Sequence, residues 1–171
     1  MSIPPSNPPR PGADPSPRRF STLGELAAQL AAEHRLIEQK LGRLAGATSS
    51  AQPPDGLLRE LDALLTRHTS IELDVFYPAA HALLQADGIV TAATSAVEHE
   101  PLLALMGMLE QGSREDPLFV PRIEVLRRHA ARHFAEEEGL LFRELETRGY
   151  FGYSLEYVDV GEPVGTRPLL H

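Results

Sequence analysis

Residues 68–77 read HTSIELDVFY and residues 133–142 read HFAEEEGLLF. Each stretch sets a Glu four positions after a His and two apolar residues eight and nine positions after it. These are His68, Glu72, Phe76 and Tyr77 in the first copy and His133, Glu137, Leu141 and Phe142 in the second. On a helix, positions i and i+4 lie on one face a turn apart, so each pair can aim an imidazole nitrogen and a carboxylate at a common point. The apolar residues one turn further on then close a hydrophobic layer beneath it.

The flanking sequence extends both motifs into helices and adds two more. A first helix is predicted from a cap at Ser21 or Thr22 to about Ala45, with Leu23, Leu30, Ile37 and Leu44 in one row and Ala27, His34 and Leu41 in the other. The second, from Asp55, places Leu61, His68 and Val75 in one row and Leu58, Leu65, Glu72 and Ala79 in the other. Pro78 is expected to kink it just beyond the motif, and Asp87-Gly88 to end it. The third runs from about Thr91 to Glu110, with His99 in line with Ala92 and Met106 and a bend at Pro101. Ser113–Val120 reads as a loop, because Pro117 and Pro121 suit a first helical turn and not an interior. The fourth helix then runs to about Arg148, with rows Leu126, His133, Leu140 and Ala130, Glu137, Glu144. The fold class predicted is all-α, an up-down-up-down four-helix bundle over residues 21–148.

Composition bounds the rest. A chain of 171 residues with 42% hydrophobic content supports one domain with a core. Residues 1–20 carry seven prolines and read as a flexible arm, while 149–171, holding three of the four tyrosines, read as an irregular tail. The formal charge of −8 and the lack of a dense Lys/Arg run point away from nucleic acid or an anionic membrane as partner. No signal-peptide core or membrane-length apolar run is visible, so a cytoplasmic protein is the expectation. With no cysteine, His and carboxylate are the strong metal ligands at hand.

A single His-x-x-x-Glu on a solvent face contributes only about 0.2–0.5 kcal/mol as an ion pair. Here, however, four histidines and two glutamates occupy rows that otherwise hold Leu, Ile and Val, and a buried carboxylate without partner or metal is strongly unfavourable. Four nitrogens and two carboxylates around one cavity suit two iron or manganese ions bridged by the carboxylates, with zinc less natural. Six protein ligands on two such ions leave positions for water, dioxygen, peroxide or nitric oxide. His129 and Glu38 are outside candidates as further ligands, and Glu98 and Glu100 flank His99. His81 and His171 read as surface or tail residues, Phe76 and Tyr77 as core packing, and Glu136 and Glu138 as a solvated acidic flank. No catalytic acid or base stands apart from the metal.

The segments EHRLIEQKL, RHTSIELDVFYP, EHEPLLALMGMLE and RHFAEEEGLLFREL, in that order, resemble the four helices of the hemerythrin-like, HHE cation-binding family over residues 22–146. The resemblance implies a non-haem di-iron site with His34, His68, Glu72, His99, His133 and Glu137 as ligands, Glu72 and Glu137 bridging, and leaves room for a redox partner protein. Oxygen-carrying members usually have a His-x-x-x-His pair in the third helix, where this chain has Leu103 after His99. In the fourth they have a longer His to Asp spacing than the four positions from His133 to Glu137. Arg143 also stands where proline is common. These departures point away from reversible oxygen transport and toward small-ligand handling of O2, H2O2 or NO in stress defence or sensing. An iron sensor or reservoir, and a metal-free interaction scaffold, are the alternatives.

Overall fold

In the computed structural model, the described residues are 20–47, 56–84 and 86–155, and they form a four-helix bundle. Helix α1 spans Leu23–Ala47. Helix α2 is α-helical over Leu57–Ile71, π-helical over Glu72–Phe76 and α-helical again over Tyr77–Leu83. Helix α3 spans Ala86–Gln111, and α4 is α-helical over Phe119–Glu136, π-helical over Glu137–Phe142 and α-helical over Arg143–Thr147. Consecutive helices pack side by side, and α4 closes the ring against α1. The run from Lys40–Glu60 to Glu33–His68 contacts makes α1 and α2 antiparallel, as the up-down order requires. No helix among the described residues is long and apolar enough to cross a membrane.

Local chemistry sets the helix ends. The Thr22 hydroxyl accepts the Glu25 N–H at 3.2 Å while the Glu25 carboxylate accepts the Ser21 N–H at 2.8 Å, a capping box displaced by one residue. At the head of α4, Asp116 accepts the N–H of Leu118 through its side chain and that of Phe119 through its carbonyl, and Pro121 falls in the first turn. Helix α4 ends at Gly149, whose φ of 77° is left-handed backbone that glycine adopts without strain. Residues beyond it return to α1: Leu23 N–H donates to Tyr153 O at 2.9 Å and Leu155 N–H to Ser21 O at 3.2 Å. The arm up to residue 19, residues 48–55 including the expected start at Asp55, and residues 156–171 including His171 lie outside the described residues.

The α2–α3 joint departs from expectation. Helix α2 stops at Leu83, Leu84 is extended (φ −91°, ψ 153°), and α3 begins at Ala86, so Asp87-Gly88 open the third helix instead of ending the second. Glycine is needed there for a close approach, because a Cβ at residue 88 would sit 2.6 Å from the Leu84 Cβ. Helix α3 therefore starts five residues earlier than Thr91 and continues as α-helix through Pro101.

The π segments are the larger correction. A π turn adds a residue to the helical turn and so shifts every later side chain around the axis. Tyr77 N–H accordingly bonds Glu72 O, five residues back. Beyond this point Ala80, not Ala79, is the buried alanine of α2. In α4, Leu140 is 59% exposed and Glu144 half-exposed, while Leu141 and Leu145 are fully buried. Pro78 follows the first π turn but Arg143 follows the second, so proline is not what makes them. What the two share is that each begins at the motif glutamate, Glu72 or Glu137.

The core falls into two apolar clusters. One joins Leu23, Leu26, Leu30, Phe76, Leu141 and Leu145, and the other joins Ile37, Leu41, Leu65, Leu102, Met106 and Leu126. Between them runs a polar layer.

Candidate metal centre

The polar layer consists of His34 from α1, His68 and Glu72 from α2, His99 from α3, and His133 and Glu137 from α4, all between 0% and 2% exposed. The structure thus brings together the six residues singled out in the sequence. Glu72 lies at the middle: its Oε1 is 3.0 Å from His68 Nε2 and 3.5 Å from His34 Nε2, and its Oε2 is 2.9 Å from His99 Nε2. Glu137 Oε2 is 3.3 Å from His34 Nε2 and 3.9 Å from His133 Nε2. His133 and His99 face each other through their Nε2 atoms at 3.0 Å. Two triads with mutually close donor atoms result, His34–His68–Glu72 and Glu72–His99–His133, sharing Glu72.

The outward nitrogens are held by carboxylates. His68 Nδ1 is 3.2 Å from Glu33, His133 Nδ1 is 3.1 Å from Glu98, and His34 Nδ1 is 2.8 Å from Glu138. An ionised carboxylate only accepts, so in each case Nδ1–H donates and Nε2 is the nitrogen turned into the layer. Arginines anchor two of these carboxylates: Arg67 pairs with Glu33, and Arg132 Nη2 lies 2.9 Å from Glu98. This is how proteins orient imidazoles toward a metal.

The sequence reading missed this outer set in part. It did not single out Glu33, Arg67 or Arg132, gave Glu98 low weight and assigned Glu138 to a solvated flank. A signal was present: Glu33-His34 and Arg67-His68 recur 65 positions later as Glu98-His99 and Arg132-His133, the spacing that also separates Glu72 from Glu137. Glu38, Glu100, Glu136 and His81 are exposed. His129 is half-buried, stands outside both triads and leaves its Nε2 buried without a partner.

The buried charges shift one another's protonation. Burial alone would lower the His34 pKa, but Glu137 and Glu72 outweigh it and push it up to about 10. Burial would raise Glu72, yet His68, His34 and His99 hold it well below the usual carboxylate range. Glu137 is pushed up to about 7 by burial and by the Glu72 charge, and His133 down to about 4 by burial and by neighbouring His99. Without a cation the layer thus has to retain protons to offset its carboxylates.

The donor set passes a test of fit. His34 Nε2, His68 Nε2 and all four carboxylate oxygens of Glu72 and Glu137 are buried and, despite their close approaches, lack an aligned hydrogen-bond partner. Orphaned buried polar atoms are rare and costly. Donors about 2.1 Å from one cation and at right angles to each other lie about 3.0 Å apart, close to the separations of His68–Glu72 in one triad and of Glu72–His99 and His99–His133 in the other, with His34 at 3.5 Å from Glu72. The described residues therefore form a four-helix bundle whose buried His/Glu clusters could hold metal ions. Comparisons of the chain with protein families, with curated proteins and with solved structures find no significant match.

Proposed function

We propose that this is a hemerythrin-like protein that holds two non-haem iron ions through His34, His68, Glu72, His99, His133 and Glu137 and binds or reacts with O2, H2O2 or NO. The observation that carries the reading is the convergence of orphaned nitrogen and carboxylate donors on a single buried layer. Nitrogen and carboxylate ligands without sulfur suit iron, and two oxygens of one carboxylate turned toward opposite histidine pairs suit a bridge. Bound there, an iron pair would supply open coordination positions and one-electron redox chemistry. The chain's own part is to orient four imidazoles through Glu33, Glu98 and Glu138, to set the local charge with two carboxylates, and to exclude bulk water with apolar clusters on either side.

The test is anaerobic reconstitution with ferrous iron followed by oxidation. Uptake of about two irons per chain, near-ultraviolet ligand-to-iron absorption and consumption of peroxide or nitric oxide support the full reading. Uptake with a large thermal stabilisation and no consumption of either reagent leaves the iron sensor or reservoir. No uptake leaves the metal-free scaffold.

A further inference from the structure

The two halves of the polar layer are copies 65 positions apart, and around the shared donors they differ at Thr69/Phe134, Leu73/Glu138, Phe76/Leu141 and Tyr77/Phe142; the second and fourth bear on a bound ligand. Phe142 stacks beside His34, with ring centroids 5.9 Å apart and 23° between planes. Tyr77 takes the equivalent place beside His99, at 5.8 Å and 27°. On the His34 side Glu138 accepts from Nδ1, whereas its counterpart on the His99 side is Leu73, and His99 Nδ1 is buried without a partner.

The grooves outside the two aromatics differ in the same sense. Phe142 floors one of about 400 Å³ edged by Glu138, Arg143 and Glu146. Tyr77 floors one of about 250 Å³ walled by Leu73, Pro78, Ala92, Ala93 and Ala96, with His81 also lining it. Several water volumes fit there, and the wall is nearly all apolar.

Tyr77 is 5% exposed, and its hydroxyl is buried, near the Glu137 carboxylate but without an aligned hydrogen bond to it. Phenylalanine at the mate position fills the same space, so packing does not require the oxygen, and a buried unpartnered hydroxyl is a net cost. A phenol hydroxyl is a hydrogen-bond donor, and this one sits beside the donor layer with its ring stacked on His99. We propose that the Tyr77 hydroxyl donates a hydrogen bond to the small ligand bound on the His99/His133 side of the centre, making that half, approached through the apolar groove, the ligand-binding one. The inference rests on the metal-centre reading above and deepens it.

Azide, a small anion that reports on ferric coordination, is the probe. Wild type and Tyr77→Phe are loaded with iron, assayed for metal, oxidised and titrated with azide by absorption, and both are melted in chelator. The expected result is equal iron content, an azide Kd about tenfold weaker in the variant, and a metal-free melting temperature that is unchanged or higher. Equal azide affinity at equal iron content overturns the assignment while leaving the metal centre intact. Loss of a visible phenolate-to-iron band in Tyr77→Phe also overturns it, because Tyr77 is then a ligand. A much lower melting temperature in chelator does so as well, by giving the hydroxyl a structural partner. A wild-type chain that takes up no iron overturns the metal-centre reading and this one together.

Discussion

Glu137→Met should stabilise the metal-free protein and abolish its response to metal. Glu137 is fully buried, its oxygens have no aligned hydrogen-bond partner, and burial with the Glu72 charge pushes its pKa up to about 7. Raising a carboxyl from 4.5 to about 7 corresponds to roughly 3 kcal/mol against the ionised form at pH 8. Methionine keeps the length and removes the charge, and Glu72 remains as counter-charge to His34. The roughly 3 kcal/mol held against the ionised carboxylate is offset in part by the lost counter-charge to His34, leaving a gain of about 1–3 kcal/mol, which for a chain of this size is about 2–12 °C in melting temperature.

The sign with pH follows from the direction of the shift. A carboxyl with a raised folded pKa destabilises above that pKa and ceases to do so below its unfolded value. The variant's advantage should therefore be full above about pH 7 and fade as the pH falls toward 4.5. With metal at about 1,000 times its Kd, wild type should gain about 4.1 kcal/mol and the variant little, so the order of stability reverses. Circular-dichroism melts in chelator and in anaerobic ferrous iron measure both arms. A variant that melts lower than wild type in chelator at pH 8, yet keeps the full metal-induced shift, would refute the reasoning.

Glu33→Gln or Glu98→Gln should leave the fold intact but weaken metal affinity by about 10–100-fold, since each carboxylate orients a histidine, a loss read by competition with a chromophoric chelator. Leu141→Ala should cost about 2–5 kcal/mol in denaturant unfolding and Leu140→Ala no more than about 0.5, the order set by the π turn. The reverse order would restore an unbroken heptad register. Gly88→Ala should cost about 1–3 kcal/mol through its clash with Leu84, without lowering metal content as measured by mass spectrometry.

The helices and the polar layer were legible because both are statements about side-chain periodicity. A His or Glu in a row of leucines is visible to anyone counting by sevens, and His34, His68, Glu72, His99, His133 and Glu137 meet where those rows cross. The π turns were not legible, because they are changes of backbone hydrogen bonding that no residue type announces: proline follows one and arginine the other. One unannounced residue in the turn was enough to exchange Leu140 for Leu141 and Glu144 for Leu145 at the core.

Glu33, Arg67 and Arg132 were hidden for another reason. Helix surfaces are rich in such residues, and whether one of them leans over a histidine is settled by the neighbouring helix, not by its own. Glu138 looked solvated for the same reason, though it reaches His34 across the α1–α4 interface. The α2–α3 joint was misplaced because Asp-Gly commonly marks a helix end, whereas here the glycine serves close packing against Leu84 at a helix start.

The central claim is that the layer between the two apolar clusters is a metal site, and metal content tests it most directly. Wild type and His133→Ala, purified without a histidine tag and reconstituted anaerobically with ferrous iron, are to be assayed by plasma mass spectrometry. About two irons per chain are expected in wild type and a clear loss in the variant, whose missing imidazole completes the triad with Glu72 and His99. No iron in wild type, or an unchanged content in His133→Ala, would contradict it.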